Sequence, residues 1–546
     1  MKKALKVIAL MLSLVFVLGA VVVPASAADE EEPVPEVSAI EKGFFNFTDV
    51  LVNGLVSGIA SIIPKPQHWV NEADYISENV LAGTEKFLDA PAEGAKWSLG
   101  YAQNSIIEGQ QVIGKNHFVS GGISITAKYP TKIIDDSKVR VIAMNDGSGR
   151  GTVVFAVLDA YGLANRDVRE IRARIAEYAK KNNIVSVNVA VLHQHSAVDT
   201  FGMNGDIVQA VFLNPLKNFI NGIAGKELLK LHNGKNEKFQ NNLFDVTVDT
   251  IETAVAQMET GKLYYGEVDV EEYVRDKRPP YALENTLNRF RFVPDDVNSE
   301  ETWFSTSEIH CVGNGVQGTE ITADYPYYME EYVNETAGAN FMLLLGAELA
   351  TSQDHDPFNS VEYPAGVEGY MILGEKLGEK LASITEENER EVAPLLNIAH
   401  KEIRLEIENQ IMHLAAKAGL FENLAIMTAD GLRLVSEIGY MEMGTDIAVA
   451  LIPGELEASI AFGNGLSKDE AWRGEDWKYD SMQKIVGEDR ELLVFGLCND
   501  QMGYIVPTND YMPMLWEDSK SIEFVSLGSQ TAITIIEEFI SLVKSK

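Results

Sequence analysis

Apolar and polar positions along the chain form blocks that predict alternating strands and helices. Residues 152–160 (TVVFAVLDA) and 184–192 (IVSVNVAVL) are apolar runs typical of buried strands, and residues 165–183 between them carry apolar positions at helical spacing. A strand, a helix and a strand with short connections predict a βαβ unit, whose two strands are parallel. We therefore predict an α/β fold with a mixed, largely parallel sheet flanked by helices in one large domain.

Later blocks extend the same pattern. Residues 446–455 and 490–500 predict further strands, residues 395–420 predict a long amphipathic helix, and residues 529–546 predict a closing amphipathic helix. Residues 205–300 are mixed and polar and show no clear period.

Near the N-terminus, residues 44–63 carry apolar side chains three and four positions apart, which predicts a helix with one strongly apolar face. Such a helix lies either in a membrane surface or against the main domain. Its polar face has almost no Lys or Arg, and this favours packing on the domain. Peripheral membrane contact through 44–63 is the alternative.

The chain begins with a segment typical of export. Residues 1–27 have a lysine-containing start, an apolar core and an Ala-Ser-Ala end, which predict a signal peptide cleaved after Ala27 and a secreted protein. Residues 28–40 are acidic and are expected to be a flexible leader. Residues 41–117 are expected to be a helical or irregular segment packed on the main domain, 118–546. The remaining chain has no apolar run of about 18 residues, so we expect no transmembrane span in the mature form.

The net charge argues against one class of partner, and the cysteine content argues against a disulfide framework. The chain has 45 Lys and Arg against 81 Asp and Glu, a net charge of −36, which would repel a phosphate backbone and argues against a nucleic-acid partner. Its two cysteines, Cys311 and Cys498, are too few for a disulfide framework. They form one disulfide or remain two free thiols.

Two of the nine histidines, His193 and His195, follow the predicted strand 184–192. The carboxyl ends of parallel strands are where open α/β sheets bind ligands. Residues two apart on an extended segment point to the same side, so both could face one metal ion. A catalytic zinc site needs about three protein ligands drawn from His, Asp and Glu, so other donors must join them. The alternative is a pair of polar residues that cap a strand.

Further candidates lie at the ends of other apolar runs. His310 ends one run and is followed by the ADYP segment, Glu455 stands in a Pro-Gly-Glu turn, and Tyr504 follows a glycine. HExxH, G-x-S-x-G, P-loop and paired CxxC motifs are absent from the sequence.

The segments LHQHSA, IHC with TADYP, IPGE and GYIVPT, in this order, resemble the neutral ceramidase family over about residues 118–546. The resemblance implies a zinc ion bound by His193, His310, Glu455 and Tyr504, with His195 assisting catalysis. It also implies hydrolysis of a linear amide, such as that of an N-acyl lipid, by zinc-activated water.

The resemblance also implies roles for two further residues, and each role has an alternative. Ser352 in GAELATSQD falls at the position of the family's catalytic serine, although the Gly-Asp pair before it is replaced by Leu349-Ala350. It is a catalytic residue or a loop serine. Arg278 is the nearest candidate for a substrate-binding arginine, and the alternative is a solvated surface charge. For the whole chain, the alternatives to an amidase are a non-catalytic protein that binds lipid or a cell surface, and a metal-dependent esterase.

Overall fold

The computed structural model describes residues 39–546 except 64, 67–68, 78–80, 85, 122–126, 206, 316–317, 354–367 and 464–465. The predicted signal peptide, 1–27, and nearly all of the predicted acidic leader, 28–40, lie outside the described residues. The helices of the described part are α1 (Ala39–Ile62), α2 (Asn165–Lys181), α3 (Ile207–Ala224), α4 (Glu237–Ala256), α5 (Tyr325–Ala337), α6 (Gly369–Ser383), α7 (Gln410–Lys417), α8 (Ala458–Phe462), α9 (Met482–Val486) and α10 (Thr531–Lys544).

The strands in the same residues are β1 (Val70–Asn71), β2 (Trp97–Ser105), β3 (Lys132–Ile133), β4 (Lys138–Asn145), β5 (Thr152–Leu158), β6 (Ile184–Val191), β7 (Glu259–Asp269), β8 (Val274–Asp276), β9 (Thr286–Pro294), β10 (Thr302–Ser307), β11 (Glu320–Ile321), β12 (Asn340–Leu345), β13 (Thr351–Gln353), β14 (Glu389–Val392), β15 (Leu396–Glu406), β16 (Ala425–Thr428), β17 (Gly431–Met443), β18 (Ile447–Leu451), β19 (Glu455–Leu456), β20 (Glu491–Phe495) and β21 (Tyr504–Ile505).

Most strands belong to two large sheets. One has the order β12-β10-β9-β7-β2-β4-β5-β6, with β14 also on β7, and the other has the order β1-β16-β17-β18-β20, with β15 also on β17. The mixed α/β fold in one domain is confirmed. The expected predominance of parallel pairing is not found, because β2, β4, β7, β9 and β17 pair antiparallel with their neighbours. Parallel pairing joins β5 to β6, β10 to β12 and β18 to β20.

The period of two along β17 explains how the sheets pack. Met441 and Met443 belong to the core shared by both large sheets, whereas Ile438 and Tyr440 pack with Phe539 of α10 on the opposite face. Successive side chains of a strand point to opposite faces, so this sheet is covered by the other sheet on one side and by a helix on the other. That double burial accounts for the nearly continuous apolar runs in the sequence.

The N-terminal part is more closely integrated than the sequence suggested. Helix α1 does pack on the domain, with its Val56, Ile59 and Ala60, and Ile63 just after it, against Leu414 of α7. Strand β2, however, pairs with both β4 and β7 inside the nine-stranded sheet. The boundary expected at residue 118 therefore does not separate an accessory segment from the domain.

The long helix expected at 395–420 is wrong. Residues 396–406 form β15, which pairs along its whole length with β17, and only residues 410–417 are helical. Ile403 and Leu405 are buried whereas Arg404 and Glu406 are exposed, which is the alternation of a strand. The other predicted elements, at 446–455, 490–500 and 529–546, are confirmed as β18, β20 and α10.

A buried ion pair joins α2 to the six-stranded sheet. Arg172 Nη1 and Nη2 donate to Glu437 Oε2 and Oε1 at 2.8 and 2.6 Å, and both side chains are buried. Burial raises the pKa of Glu437, but the Arg172 charge outweighs it and lowers the pKa from 4.5 to about 2. The pair thus contributes stability above the unfolded pKa of 4.5, and this contribution is lost as the pH falls toward 2.

We predict that Arg172→Met destabilises the fold by about 3–5 kcal/mol near pH 7, because Glu437 is left buried without its partner. The difference from wild type should shrink as the pH falls from 7 to about 3, because burial without Arg172 raises the pKa of Glu437 in the variant, which takes up a proton while Glu437 of the wild type stays ionised. Urea denaturation at the two pH values measures both effects.

Arg174→Met on the same helix is the control. Its ion pairs with Glu170 and Asp245 are partly exposed, so it should cost about 1 kcal/mol or less at either pH. Equal losses in the two variants would contradict the role given to the buried pair.

Candidate metal centre at the strand ends

His193 follows β6 directly and turns the chain. Its φ of 50° lies in the left-handed region, which non-glycine residues rarely adopt and which is found at functional sites. The turn is fixed by its neighbours, since Gln194 N donates to Ala160 O and His195 N donates to Cys311 O at 3.1 Å. These bonds place both histidine rings at the carboxyl edge of the β5–β6 pair, with centroids 4.7 Å apart.

Parallel strand pairs bring the other candidates to the same place. Strands β10 and β12 end together, and His310 and Glu348 follow them; strands β18 and β20 also end together, and Glu455 and Tyr504 follow them. Glu455 and Tyr504 are direct partners in the short parallel pair of β19 and β21. The carboxyl ends of three parallel pairs therefore supply the predicted ligands.

Glu455 Oε2 lies between two imidazoles. It is 3.5 Å from His193 Nε2 and 3.2 Å from His310 Nε2, and all three side chains are buried. His193 Nε2 and Glu455 Oε2 are buried polar atoms without a hydrogen-bond partner in the described residues. Buried donors and acceptors normally have partners, so this arrangement calls for a further group.

The hydrogen bonds of the two rings determine which nitrogen is free. His193 Nδ1 lies 2.8 Å from Tyr161 O, and His310 Nδ1 lies 2.8 Å from Glu348 O. A carbonyl oxygen only accepts, so each Nδ1 carries a proton and the Nε2 lone pairs are available to a metal. Two donors of a tetrahedral zinc ion with bonds of about 2.0–2.1 Å lie about 3.3 Å apart, close to the spacing found here. The residues fit zinc.

The charges in the centre also suit a cation. Burial lowers the pKa of His310, but the carboxylates of Glu348 and Glu455 outweigh it and raise the pKa to about 10. Burial raises the pKa of Glu455, but His193 and His310 outweigh it and lower the pKa. Two buried carboxylates thus draw positive charge onto His310, and a bound cation would satisfy them in the same way.

His195 differs from the other two histidines. Both its ring nitrogens are buried and have no hydrogen-bond partner in the described residues. Burial lowers its pKa well below the usual value, and the charges of His193, His310, Lys128 and Lys277 lower it further. Its imidazole is therefore neutral near pH 7 and can accept a proton.

Tyr504 and Gln501 complete the surroundings of Glu455. Gln501 Nε2 donates to Glu455 Oε1 at 3.0 Å and orients the carboxylate. Burial raises the pKa of Tyr504 well above its usual value, and the Glu455 charge raises it further, so the hydroxyl keeps its proton.

The structure places Ser352 on a strand beside the centre and Arg278 in the core. Ser352 is buried on β13 opposite Arg275 of β8, and the preceding Thr351 O accepts from His310 N at 3.4 Å, so its strand adjoins the centre. Arg278 is buried, not a surface charge: Nη1 donates to Asp510 Oδ2 at 2.6 Å and Nη2 donates to Glu523 Oε1 at 2.7 Å. The Arg278 guanidinium is therefore bonded to carboxylates within the core.

Three contributors to the centre were missed from the sequence. Glu348 contacts His310 Nδ1 through a carboxylate oxygen, Gln501 holds Glu455, and the Tyr161 ring stacks on His193 with centroids 4.4 Å apart. Tyr161 and Gln501 directly follow the predicted strands 152–160 and 490–500, and that position was the available signal for them; Glu348 follows β12, for which no strand was predicted. The two cysteines are buried free thiols.

The overall fold is similar to that of two solved ceramidase structures. The neutral ceramidase from Pseudomonas aeruginosa superposes with a TM-score of 0.59 and 15% identity, covering 82% of this chain and 74% of that one. The chain has the neutral ceramidase fold. A ceramidase described as complexed with C2 superposes with a TM-score of 0.58 and 15% identity, covering 82% and 75%. The sequence matches no protein-family model, and a search of curated proteins finds no match. The resemblance carried by the motifs is confirmed for the fold.

We predict that Glu348→Gln weakens zinc binding by about tenfold or more, because the variant keeps the shape but loses the charge that supports His310. His310→Ala should abolish stoichiometric zinc. Competition with a chromogenic chelator, together with elemental analysis of the purified protein, measures both variants.

His413→Ala, which changes a partly buried histidine on α7, is the control and should retain zinc. Wild-type affinity in both Glu348→Gln and His310→Ala would show that zinc does not bind at this centre.

Proposed function

We propose that the protein is an exported zinc-dependent hydrolase of linear amide bonds that acts on an N-acyl lipid of the ceramide type. The observation that supports this most is Glu455 Oε2 lying between the Nε2 atoms of His193 and His310, whose Nδ1 atoms are turned to carbonyls. The neutral ceramidase fold supports the reaction class. His193, His310, Glu455 and Tyr504 are the proposed ligands.

The bound zinc would lower the pKa of a water molecule and polarise the amide carbonyl. His195 is proposed to take the proton from the attacking water and to deliver it to the departing amine, since its imidazole is neutral and has no competing partner in the described residues. Gln501 keeps Glu455 in place as a proposed ligand.

Activity is tested by fatty-acid release from an N-acylsphingosine, with an ester of the same acyl chain in parallel. We expect zinc-dependent release from the amide, and loss by about a hundredfold or more in His195→Ala with zinc retained. The His413→Ala control should keep wild-type turnover.

The outcomes separate the alternatives. Hydrolysis of the ester alone would favour an esterase, and zinc binding without hydrolysis of either compound would favour a non-catalytic lipid-binding protein.

N-terminal sequencing of protein collected outside the cell tests export, and we expect a chain that begins after Ala27.

Ser352 is proposed to assist directly, because its strand is hydrogen-bonded to the His310 segment. Ser352→Ala should lower turnover by about a hundredfold while zinc stays bound, if the hydroxyl contacts the reacting group. Thr508→Ala removes a hydroxyl that donates to Ser529 O outside the centre and is the matched control. Near-normal turnover in Ser352→Ala would make this residue structural.

A further inference from the structure

Two helices leave apolar faces uncovered on the surface. Helix α1 exposes large apolar side chains from Ile40 to Leu55 although Val56, Ile59 and Ala60 are buried, and α3 exposes a stripe opposite its buried asparagines. Phe44 and Phe219 are 61% and 56% exposed, and Ile223 is 75% exposed. The exposed apolar residues are Ile40, Phe44, Phe47, Val50, Leu51 and Leu55 on α1, and Leu213, Leu216, Phe219, Ile220 and Ile223 on α3. Patches of this kind mark interaction sites.

Helix α7 connects the two helices. Lys417 at its end donates from Nζ to Ala60 O of α1 at 2.9 Å, and its carbonyl accepts from Asn218 Nδ2 of α3 at 2.9 Å. Asn214 Nδ2 of α3 also donates to Ala418 O. Both helices therefore rest on α7 through polar or buried faces and leave their apolar faces outside.

The charge near α3 is opposite to that of the protein. Residues 207–238 contain five lysines and two glutamates, a net charge of +3 in a chain whose net charge is −36. Lys226 and Lys230 are exposed and Lys217 is partly exposed, close to the apolar stripe, whereas Lys235 is buried beside Asp167. A helix with exposed Phe, Leu and Ile flanked by lysines is typical of a helix that lies in the surface of an anionic membrane.

Helix α1 supplies apolar area without the lysines, and it is fixed along the protein. By length and composition alone, its segment Ile40–Ser61 could cross a membrane, and it is the one such segment among the described helices. Its polar contacts run along its length, however: Lys42 Nζ donates to Trp472 O at 3.0 Å, Asp49 accepts from Met514 N at 3.1 Å, and Asn53 accepts from Gln410 N at 3.4 Å. These bonds favour a helix that lies on the domain.

We propose that the exposed faces of α1 and α3 form one docking surface for a bilayer with anionic headgroups. The proposal extends the proposed function, since an N-acyl lipid substrate resides in a bilayer. The candidate catalytic His195 is followed by residues 196–205, which are buried and lead toward α3; in them Asp199 accepts from the N–H groups of Phe201, Gly202 and Asn204 at 2.8–3.0 Å. Docking would hold this loop and the metal centre close to the lipid.

The test is co-sedimentation of the full chain with vesicles of phosphatidylcholine alone, or of equal parts phosphatidylcholine and phosphatidylglycerol. We expect binding to the anionic vesicles that weakens with added salt. Phe219→Ser with Ile223→Ser, and separately Phe44→Ser with Phe47→Ser, should each reduce binding by about tenfold or more. Lys217→Gln with Lys226→Gln should reduce binding about tenfold on anionic vesicles only.

Ile76→Ser with Val297→Ser removes equally exposed apolar side chains elsewhere, and Lys180→Gln with Lys468→Gln removes lysines elsewhere; both controls should bind as wild type. Unchanged binding in either serine pair would overturn the two-helix surface. So would sedimentation showing that these faces close a dimer of the chain that does not bind vesicles.

Hydrolysis of a soluble short-chain N-acyl substrate is measured on the same variants and should be unchanged. If no variant hydrolyses it but vesicle binding follows the expected order, the proposed function fails and the docking surface remains.

Discussion

Two buried carboxylates, Glu348 and Glu455, impose the strongest constraint on this molecule. A buried charge without a partner costs several kcal/mol, so the fold must provide positive charge beside both groups. It does so with His310, which contacts both carboxylates. The Nε2 atoms of His193 and His310 face one oxygen of Glu455, and backbone carbonyls fix their Nδ1 atoms. The left-handed turn at His193 and the bond from Gln501 to Glu455 both serve this arrangement.

The sheet arrangement makes that constraint possible. Antiparallel pairing dominates the centre of each large sheet, and the parallel pairs β5–β6, β10–β12 and β18–β20 end at the candidate centre. His193 and His310 follow β6 and β10, which lie near opposite ends of the nine-stranded sheet. They meet because β12, the partner of β10, contacts β5 and β6, so the two ends of the sheet come together. The shared apolar core behind them holds the strand ends in position.

The sequence predicted the βαβ unit, the strand ends and the residues at them, because a strand buried on both faces has a distinct apolar pattern. It failed at β15, where alternating Glu, Arg and Leu mimicked a helix with apolar positions three and four apart. It also missed the antiparallel pairing and the bonds of Arg278, because both depend on partners far along the chain. Glu348 and Gln501 were missed because single polar residues after strands are common.

The central position of β2 affects how the chain reaches its fold. Trp97 pairs with Gly261, β1 pairs with β16, and β14 adds to β7, so the sheets join segments more than 100 residues apart. Contacts between residues this far apart in sequence slow folding, because the entropy of closing long loops is lost before the favourable contacts form. The sheets can therefore close only after most of the chain has been synthesised. Until then, the apolar strands of the first half are exposed and can aggregate with other unfolded chains.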